Sequence, residues 1–342
     1  MSLRTGAPPN YARRRIIDRI MRALTVVATA TAVVPLVLIL GYVLVVGGSG
    51  LSVSFFTETY QAPLMGDFTD PTLVDPAVGA PEGGANPDDP YADLDLGALT
   101  GATPAEPTDG HGSIDLSQVS SGGGVLHGIV GTLLVTLVGL LLALPVGLLA
   151  GVFLAEYDNN WLATATRFCT DVLSGAPSIV IGVVAYILIV QQTRTFSGLA
   201  GSIAIALLMV PTITRTTEEI LRLVPQTVRE AAMGLGAPTW YTTFTVVIPT
   251  ALTGIVTGVL LAFARGAGET APLILTVLGN NTLSVNMLAP IAALPLLAYR
   301  YTESPFPTEI QLAWSTSFVL VVLVLFINIA LRLATRSRLR GR

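Results

Sequence analysis

Glu230-Ala231-Ala232-Met233-Gly234-Leu235-Gly236, followed by Val246-Val247-Ile248-Pro249, is the stretch on which the reading of this chain turns. It is polar and helix-forming, and it lies between two segments apolar enough to cross a bilayer. After Pro225, residues 226–235 predict a short helix. Proline suits a helix start. Arg229 and Glu230 keep the segment wet, and Ala231 and Ala232 combine good helix propensity with little bulk. Gly236 stands where a C-terminal cap is needed, and Pro238 prevents continuation. A second short helix over residues 239–246 returns to the membrane at Pro249. On residue chemistry alone two readings stay open: an ordinary polar hairpin between spans, or a rigid knob shaped for a partner's groove.

The surroundings are membrane. Of 342 residues, 52% are hydrophobic and 12% charged, with a mean hydropathy of +0.70. Soluble domains carry about twice that charge, and several apolar runs exceed the roughly 20 residues that span hydrocarbon. An all-α polytopic membrane protein follows. His111, His127 and the single Cys169 cannot build a typical structural zinc site, so no metal is expected. The one cysteine also excludes an intrachain disulfide. All 18 basic residues are arginine. A P-loop needs its lysine on the phosphates, so this chain holds no normal nucleotide site. ATP, if used, is hydrolysed by another subunit.

Residues 1–22 are basic. The apolar run 23–46 is too long for a typical secretory signal and shows no small-residue cleavage site, so it reads as an uncleaved first transmembrane helix that tolerates Pro35. Residues 47–125 are crowded with Gly, Pro and Asp. Their acids and lack of arginine give a formal charge of −12. Such a composition buries too little apolar surface to fold compactly, and most of it reads as a loosely ordered extramembrane insert. Five further apolar segments follow at about 126–154, 168–190, 199–222, 250–279 and 310–333, within a core at 126–335. The total is six transmembrane helices.

An even number of spans puts both termini on one side. Fourteen arginines then fall on that side and only Arg194 and Arg300 opposite, so the termini and the 336–342 tail are cytoplasmic. The 47–125 insert lies outside, and the 223–249 loop faces the cytoplasm. The apolar, proline-broken run 287–297 is too short to cross and reads as a re-entrant or interfacial helix. Glycines at four-residue spacing, Gly147/Gly151 and Gly254/Gly258, let helices pack closely. Trp161, Trp240 and Trp314 suit interfacial anchors.

Two arginines remain at membrane depth. Arg215 and Glu218 are i, i+3; Arg265 and Glu269 are i, i+4; each pair shares a helix face. A charge near the bilayer centre costs about 2.5–3.5 kcal/mol even on the lenient scale. Each arginine can be neutralised by its own glutamate. The pairs either fix helix orientation or line an anion path. A guanidinium is a natural oxyanion ligand, with a planar fork that donates two parallel hydrogen bonds. A nearby carboxylate accepts a hydrogen bond from a protonated oxyanion such as hydrogen phosphate and repels sulfate. Asp171 reads as a hydrogen-bonded acid near the inner interface.

The opening string resembles the signature loop of ABC importer permeases: Glu-Ala-Ala, three residues, Gly, nine residues, then Ile-x-Leu-Pro. Here Val246 and Ile248 replace Ile and Leu. Further strings are more specific. Pro-Thr-Ile-Thr-Arg-Thr-Thr-Glu-Glu at 211–219, Ala-Arg-Gly-Ala-Gly-Glu-Thr-Ala-Pro at 264–272, Ser-Gly-Ala-Pro-Ser-Ile-Val at 174–180 and Gln-Leu-Ala-Trp at 311–314 resemble the PstA-type permeases of phosphate-specific importers. These belong to the binding-protein-dependent inner-membrane components, and the resemblance covers roughly residues 126–335. The acidic insert departs from the compact outer loop of that family.

The resemblance implies a type I ABC importer permease fold with cytoplasmic coupling helices. It implies that Glu230, Ala231, Ala232 and Gly236 dock an ATPase, and that Arg215, Glu218, Arg265 and Glu269 line the phosphate path. The implied partners are a homologous PstC-type permease, an ATP-binding subunit dimer that holds ATP-Mg, and an extracytoplasmic phosphate-binding protein, in the cell membrane. No cofactor is expected in this chain, and no nucleic acid. Rival readings are a permease for molybdate or sulfate, an ATP-independent channel or secondary transporter, and a membrane enzyme. No paired His, Ser or metal constellation in the spans supports the last.

Overall fold

The structure, a computed structural model, describes residues 11–60, 123–158 and 160–339. The middle of the acidic insert, residues 61–122, lies outside them, as do residues 1–10 and 340–342. Long apolar runs with good helix formers make helices, since hydrocarbon leaves the backbone only itself to bond. The elements are α1 (Tyr11–Ser49), α2 (Val53–Thr57), α3 (Leu126–Glu156), α4 (Trp161–Gly175), α5 (Ser178–Ala185), α6 (Gln191–Thr193), α7 (Gly198–Arg222), α8 (Gln226–Gly234), α9 (Thr239–Thr242), α10 (Ile248–Ala267), α11 (Ala271–Thr276), α12 (Leu294–Thr302) and α13 (Pro307–Leu339). Among the described residues there is no strand, only an isolated bridge between Tyr60 and Gly123.

Five helical stretches are long and apolar enough to cross a membrane, or six if a bent pair of helices counts as one span. Two differ from expectation. The third, expected over 168–190 as one span, is α4 and α5 meeting at 104°. Ala176 precedes Pro177, and the residue before proline is pushed out of the helical region; Ala176 is extended at ψ 135. The fifth, expected over 250–279, starts earlier and ends sooner. The short helix expected over 239–246 is continuous with it, through α9, a π-helical turn at Thr243–Val247 and α10, giving one stretch from Thr239 to Ala267.

Close helix approach comes from glycine. A Cβ on Gly147 would lie 2.8 Å from Ile213, and one on Gly151 2.6 Å from Thr217. Rising numbers on α3 meet rising numbers on α7, so the two run parallel. Gly254 meets Ile220 and Gly258 meets Thr216, so α10 runs antiparallel to α7. The central core gathers Val135, Ile205, Met209, Ile213, Ala262, Leu273 and Ile291 around α7. The loop at 223–238 marks one end of this bundle, the loop end; the insert joins at the other.

At the insert end the apolar run 287–297 is buried from Ile291 onward, while Leu288 is exposed, and it is not a helix until Leu294. Ala292 packs into the notch left by Gly131, where a Cβ would overlap its carbonyl oxygen. The Leu294 N–H donates to Thr132 Oγ1 at 2.7 Å. Such backbone survives at depth because protein covers it. The same run closes the start of α7: Gly198 N donates to Ala289 O at 3.0 Å and Leu199 N to Met287 O at 2.7 Å.

The insert's roots pack onto the bundle; the loose order expected for most of 47–125 falls mainly on residues 61–122, outside those described. Phe55 is buried, Val125 N donates to Phe55 O at 2.9 Å, and Tyr60 donates to Glu309 at 2.8 Å. Burial, reinforced by the Glu309 carboxylate, pushes the Tyr60 phenol up to about 12. Helix α1 touches little besides α13, through Gly47 against Trp314 and Phe318, and Gln311 donating to Val46 O at 2.8 Å.

Candidate functional site

Near the loop end, α7 carries Arg215, Glu218 and Arg222. Glu218 is only 5% exposed, covered by α4 and the end of α3, and three guanidinium groups reach it: Arg167 Nε at 2.8 Å, Arg222 Nη2 at 3.0 Å and Arg215 Nη1 at 3.4 Å. Arg167 and Arg222 also donate to the Leu154 carbonyl, at 3.0 and 3.3 Å, and both bond Asp158. Arg222 and Arg167 together hold the Asp158 carboxyl below the usual carboxylate range. Three arginines thus face three acids, Glu218, Asp158 and Asp171. A buried charge left unpaired is strongly destabilising, and here every charge has a partner.

This arrangement corrects the simple pairing of Arg215 with its own glutamate. Arg167 and Arg222 both take Glu218 Oε1, leaving Arg215 one long contact with Oε2. The other edge of the Arg215 guanidinium turns to α4. There Nε donates to Asp171 Oδ1 at 3.0 Å, and Nη2 bonds the same oxygen.

The second pair sits where the fifth span breaks. Helix α10 ends at Ala267, with Gly268 N donating to Arg265 O at 3.2 Å and Glu269 N to Gly266 O at 3.3 Å. Chain direction resumes in α11, which carries Pro272 in its first turn. Glycines at 266 and 268 and this proline explain why one helix does not continue. Gly266 admits Met209 and Ile205, and Pro272 packs on Gly182 of α5. Arg265 Nε lies 3.5 Å from Glu269 Oε1; the arginine side chain is 43% exposed and the glutamate 18%. Gly258 lies level with Thr216. At 1.5 Å per residue, Arg265 therefore sits about 10 Å nearer the insert end than the Arg215 tier. Among the described residues no ion pair joins the two tiers.

The 230–236 loop is an exposed knob. Glu230, Ala231 and Gly236 are exposed, Ala232 is half-buried, and Leu235 is 91% exposed. The end of α8 is closed by paired bonds: Gly236 N to Met233 O at 2.9 Å and Ala237 N to Ala232 O at 3.3 Å. Gly236 has φ +90, as this glycine cap requires. Trp240 lies exposed on the knob, whereas Trp314 packs edge-on against Tyr42 of α1.

Arg229 departs from expectation. It is buried, bonding Glu156 at the end of α3 and donating from Nη2 to Leu221 O at 2.9 Å. The knob is therefore bolted to the ends of two spans. Beside the bolt lies a cleft of about 350 Å³, lined by Glu156, Asp158, Arg222, Arg229, Met233 and Thr239.

Arg167 and Asp158 were missed as members of the Glu218 cluster, because 51 residues separate Arg167 from its partner. One signal was available: Glu218 and Arg222 are i, i+4, the spacing of a helix-face ion pair.

Residues 147–339 match the family described as binding-protein-dependent transport system inner membrane component. The chain is 44% identical over 214 residues to the phosphate transport system permease protein PstA of Yersinia pestis, covering 62% of this chain and 72% of that one. It is 46% identical over 212 residues to the protein of the same name from Haemophilus influenzae, covering 62% and 75%. Identity to the probable PstA of Methanocaldococcus jannaschii is 35% over 221 residues, covering 64% and 79%. Among solved structures, the MetNI methionine ABC transporter in inward-facing conformations shares the fold, with TM-score 0.52, 19% identity, and coverage of 64% of this chain and 95% of that one.

Proposed function

Because the chain belongs to the family of binding-protein-dependent transport system inner membrane components, we propose that it is the PstA-type permease subunit of an ATP-driven phosphate importer. The observation that carries this reading is the 44% identity, over 214 residues, to a permease named for phosphate transport. The protein is a multi-pass membrane transport subunit. In this reading both termini and the loop end are cytoplasmic, in keeping with the arginine asymmetry. The knob of Glu230, Ala231, Ala232 and Gly236 docks an ATP-binding subunit dimer, which holds ATP-Mg and does the hydrolysis. A PstC-type permease completes the path, and a phosphate-binding protein delivers substrate at the insert end.

The chemistry of the two tiers supports the choice of substrate. Arg265 emerges at a helix break and offers a guanidinium fork to an oxyanion, with Glu269 near enough to accept a hydrogen bond from hydrogen phosphate. The Arg215–Glu218 tier is a second station toward the loop end. A charge at such depth is tolerated when it faces a polar path or a protein partner rather than lipid.

The test is uptake of labelled phosphate by the assembled complex in proteoliposomes, with ATP inside. Uptake is expected to need ATP and to resist excess sulfate or molybdate. Arg265→Gln is expected to abolish uptake while leaving the complex intact. Equal competition by sulfate would overturn the substrate; wild-type rates in Arg265→Gln would overturn the path.

A further inference from the structure

Arg215 is shared by two acids, and they are held in opposite ways. Glu218 is sealed, 5% exposed, and fixed by Arg167 and Arg222 as well as Arg215. Asp171 projects from α4 at 57% exposure, and among the described residues its hydrogen bonds and ion pair go to Arg215 alone. The edge of the guanidinium that Asp171 occupies, Nε with Nη2, is one that grips an oxyanion bidentately. We infer that Asp171 is an exchangeable internal anion, which fills the oxyanion-binding edge of Arg215 between transport events and is displaced by phosphate as it passes. This rests on the phosphate-permease reading and assigns a specificity role to a residue outside the two arginine–glutamate pairs.

Three features favour exchange at Asp171 rather than at Glu218. Exposed ion pairs are individually weak and open readily, whereas Glu218 is itself buried and held by three guanidinium groups, so withdrawing it would break several contacts at once. Asp171 stands on a separate helix from Arg215, and that helix meets α5 at a 104° bend, so its carboxylate can withdraw without moving α7. The competitor also has the right chemistry. Hydrogen phosphate brings up to two negative charges and several acceptor oxygens against one carboxylate, so it can win the fork. A halide carries one charge and has no paired acceptors for the fork, so Asp171 excludes it. On release, the returning carboxylate repels the anion and refills the fork.

A fixed staple between α4 and α7 would look the same at rest but respond differently to neutralisation. Asp171→Asn keeps the shape and removes the competing charge. Binding of labelled phosphate to the assembled complex in nanodiscs, without the binding protein, is expected to tighten about tenfold, the scale of one charge-assisted hydrogen bond. The gain should vanish in Asp171→Asn with Arg215→Gln. Maximal uptake by Asp171→Asn should fall by a similar factor, because phosphate is held on the freed fork, and Asp171→Glu should restore it. Asp171→Ser carries the same binding measurement if the asparagine variant does not assemble. Unchanged phosphate binding in the neutral variant, or a gain that survives loss of Arg215, overturns the inference. A wild-type complex that imports no phosphate defeats the proposed function itself; a working wild type with an unaltered Asp171→Asn defeats only the role of Asp171.

Discussion

Arg167 and Glu218 stand on different helices, and the Nε of the first donates to Oε1 of the second at 2.8 Å. That bond, with Arg222 on the same oxygen, turns a buried glutamate into the point where α3, α4 and α7 are tied at the loop end. Removing one partner of a buried pair costs about 3–5 kcal/mol, reduced here to roughly 2–3 because Arg215 and Arg222 reach solvent. Glu218→Ala should therefore lower the thermal midpoint of the purified complex clearly, and Glu218→Gln by less. A midpoint unmoved by the alanine change would show that the cluster does not hold these helices.

Arg229 and Glu230 are neighbours with opposite tasks. One is buried on Glu156 and the Leu221 carbonyl, and the other is exposed. Arg229→Met keeps bulk and removes the bolt. Phosphate-stimulated ATP hydrolysis in the assembled complex should drop at least about tenfold, as expected for losing a buried charged hydrogen bond, with membrane insertion unaffected. Full stimulation in this variant would mean the knob is held by other contacts.

Gly236 has open space around it but a positive φ of +90. The cost of a side chain is then conformational, about 1–2 kcal/mol for an ordinary L residue. Asn tolerates the left-handed region better than a β-branched residue. Gly236→Val should loosen the end of α8, seen as faster amide exchange over 232–238, and should weaken ATPase coupling. Gly236→Asn should do so less. Indistinguishable exchange in the two variants would contradict the cap.

Two glycines make a controlled comparison. A Cβ on Gly131 would overlap the Ala292 carbonyl oxygen, whereas one on Gly175 meets nothing within 4 Å. Gly131→Ala should reduce the yield and thermal midpoint of the complex, by an amount typical of overpacking, about 1–3 kcal/mol. Gly175→Ala should be nearly silent. Equal behaviour of the two would show that the 287–297 run does not seat as described.

Most of the fold was legible because hydropathy and loop chemistry are local signals. Six apolar runs correspond to five membrane-length helices and one bent pair, and Pro225, Gly236 and Pro238 marked α8 and its cap within a residue. The 104° bend was legible in principle, since Ala176 precedes Pro177. So was the break after Ala267, where Gly266, Gly268 and Pro272 interrupt a helical pattern. Both lay inside runs apolar enough to suggest continuous spans. The Arg215–Glu218 contact was legible from its spacing, but the Asp171 partner of Arg215 and the partners of Arg167 and Arg229 were not. Each arginine reaches an acid on another element, and sequence spacing reports only neighbours three or four residues along one helix. The same limit turned Arg229, polar and beside exposed residues, into a surface residue on paper and a buried one in the fold.

The N–H groups of Gly198 and Leu199 find their acceptors at Ala289 and Met287, about ninety residues downstream. A ribosome making about 5–20 residues per second delivers those acceptors roughly 5–20 s after the donors. During that interval the first turn of α7 lacks these two acceptors. The helix at the centre of the bundle is thus among the last to be finished, and a nascent chain stopped between residues 222 and 287 holds it in an incomplete state.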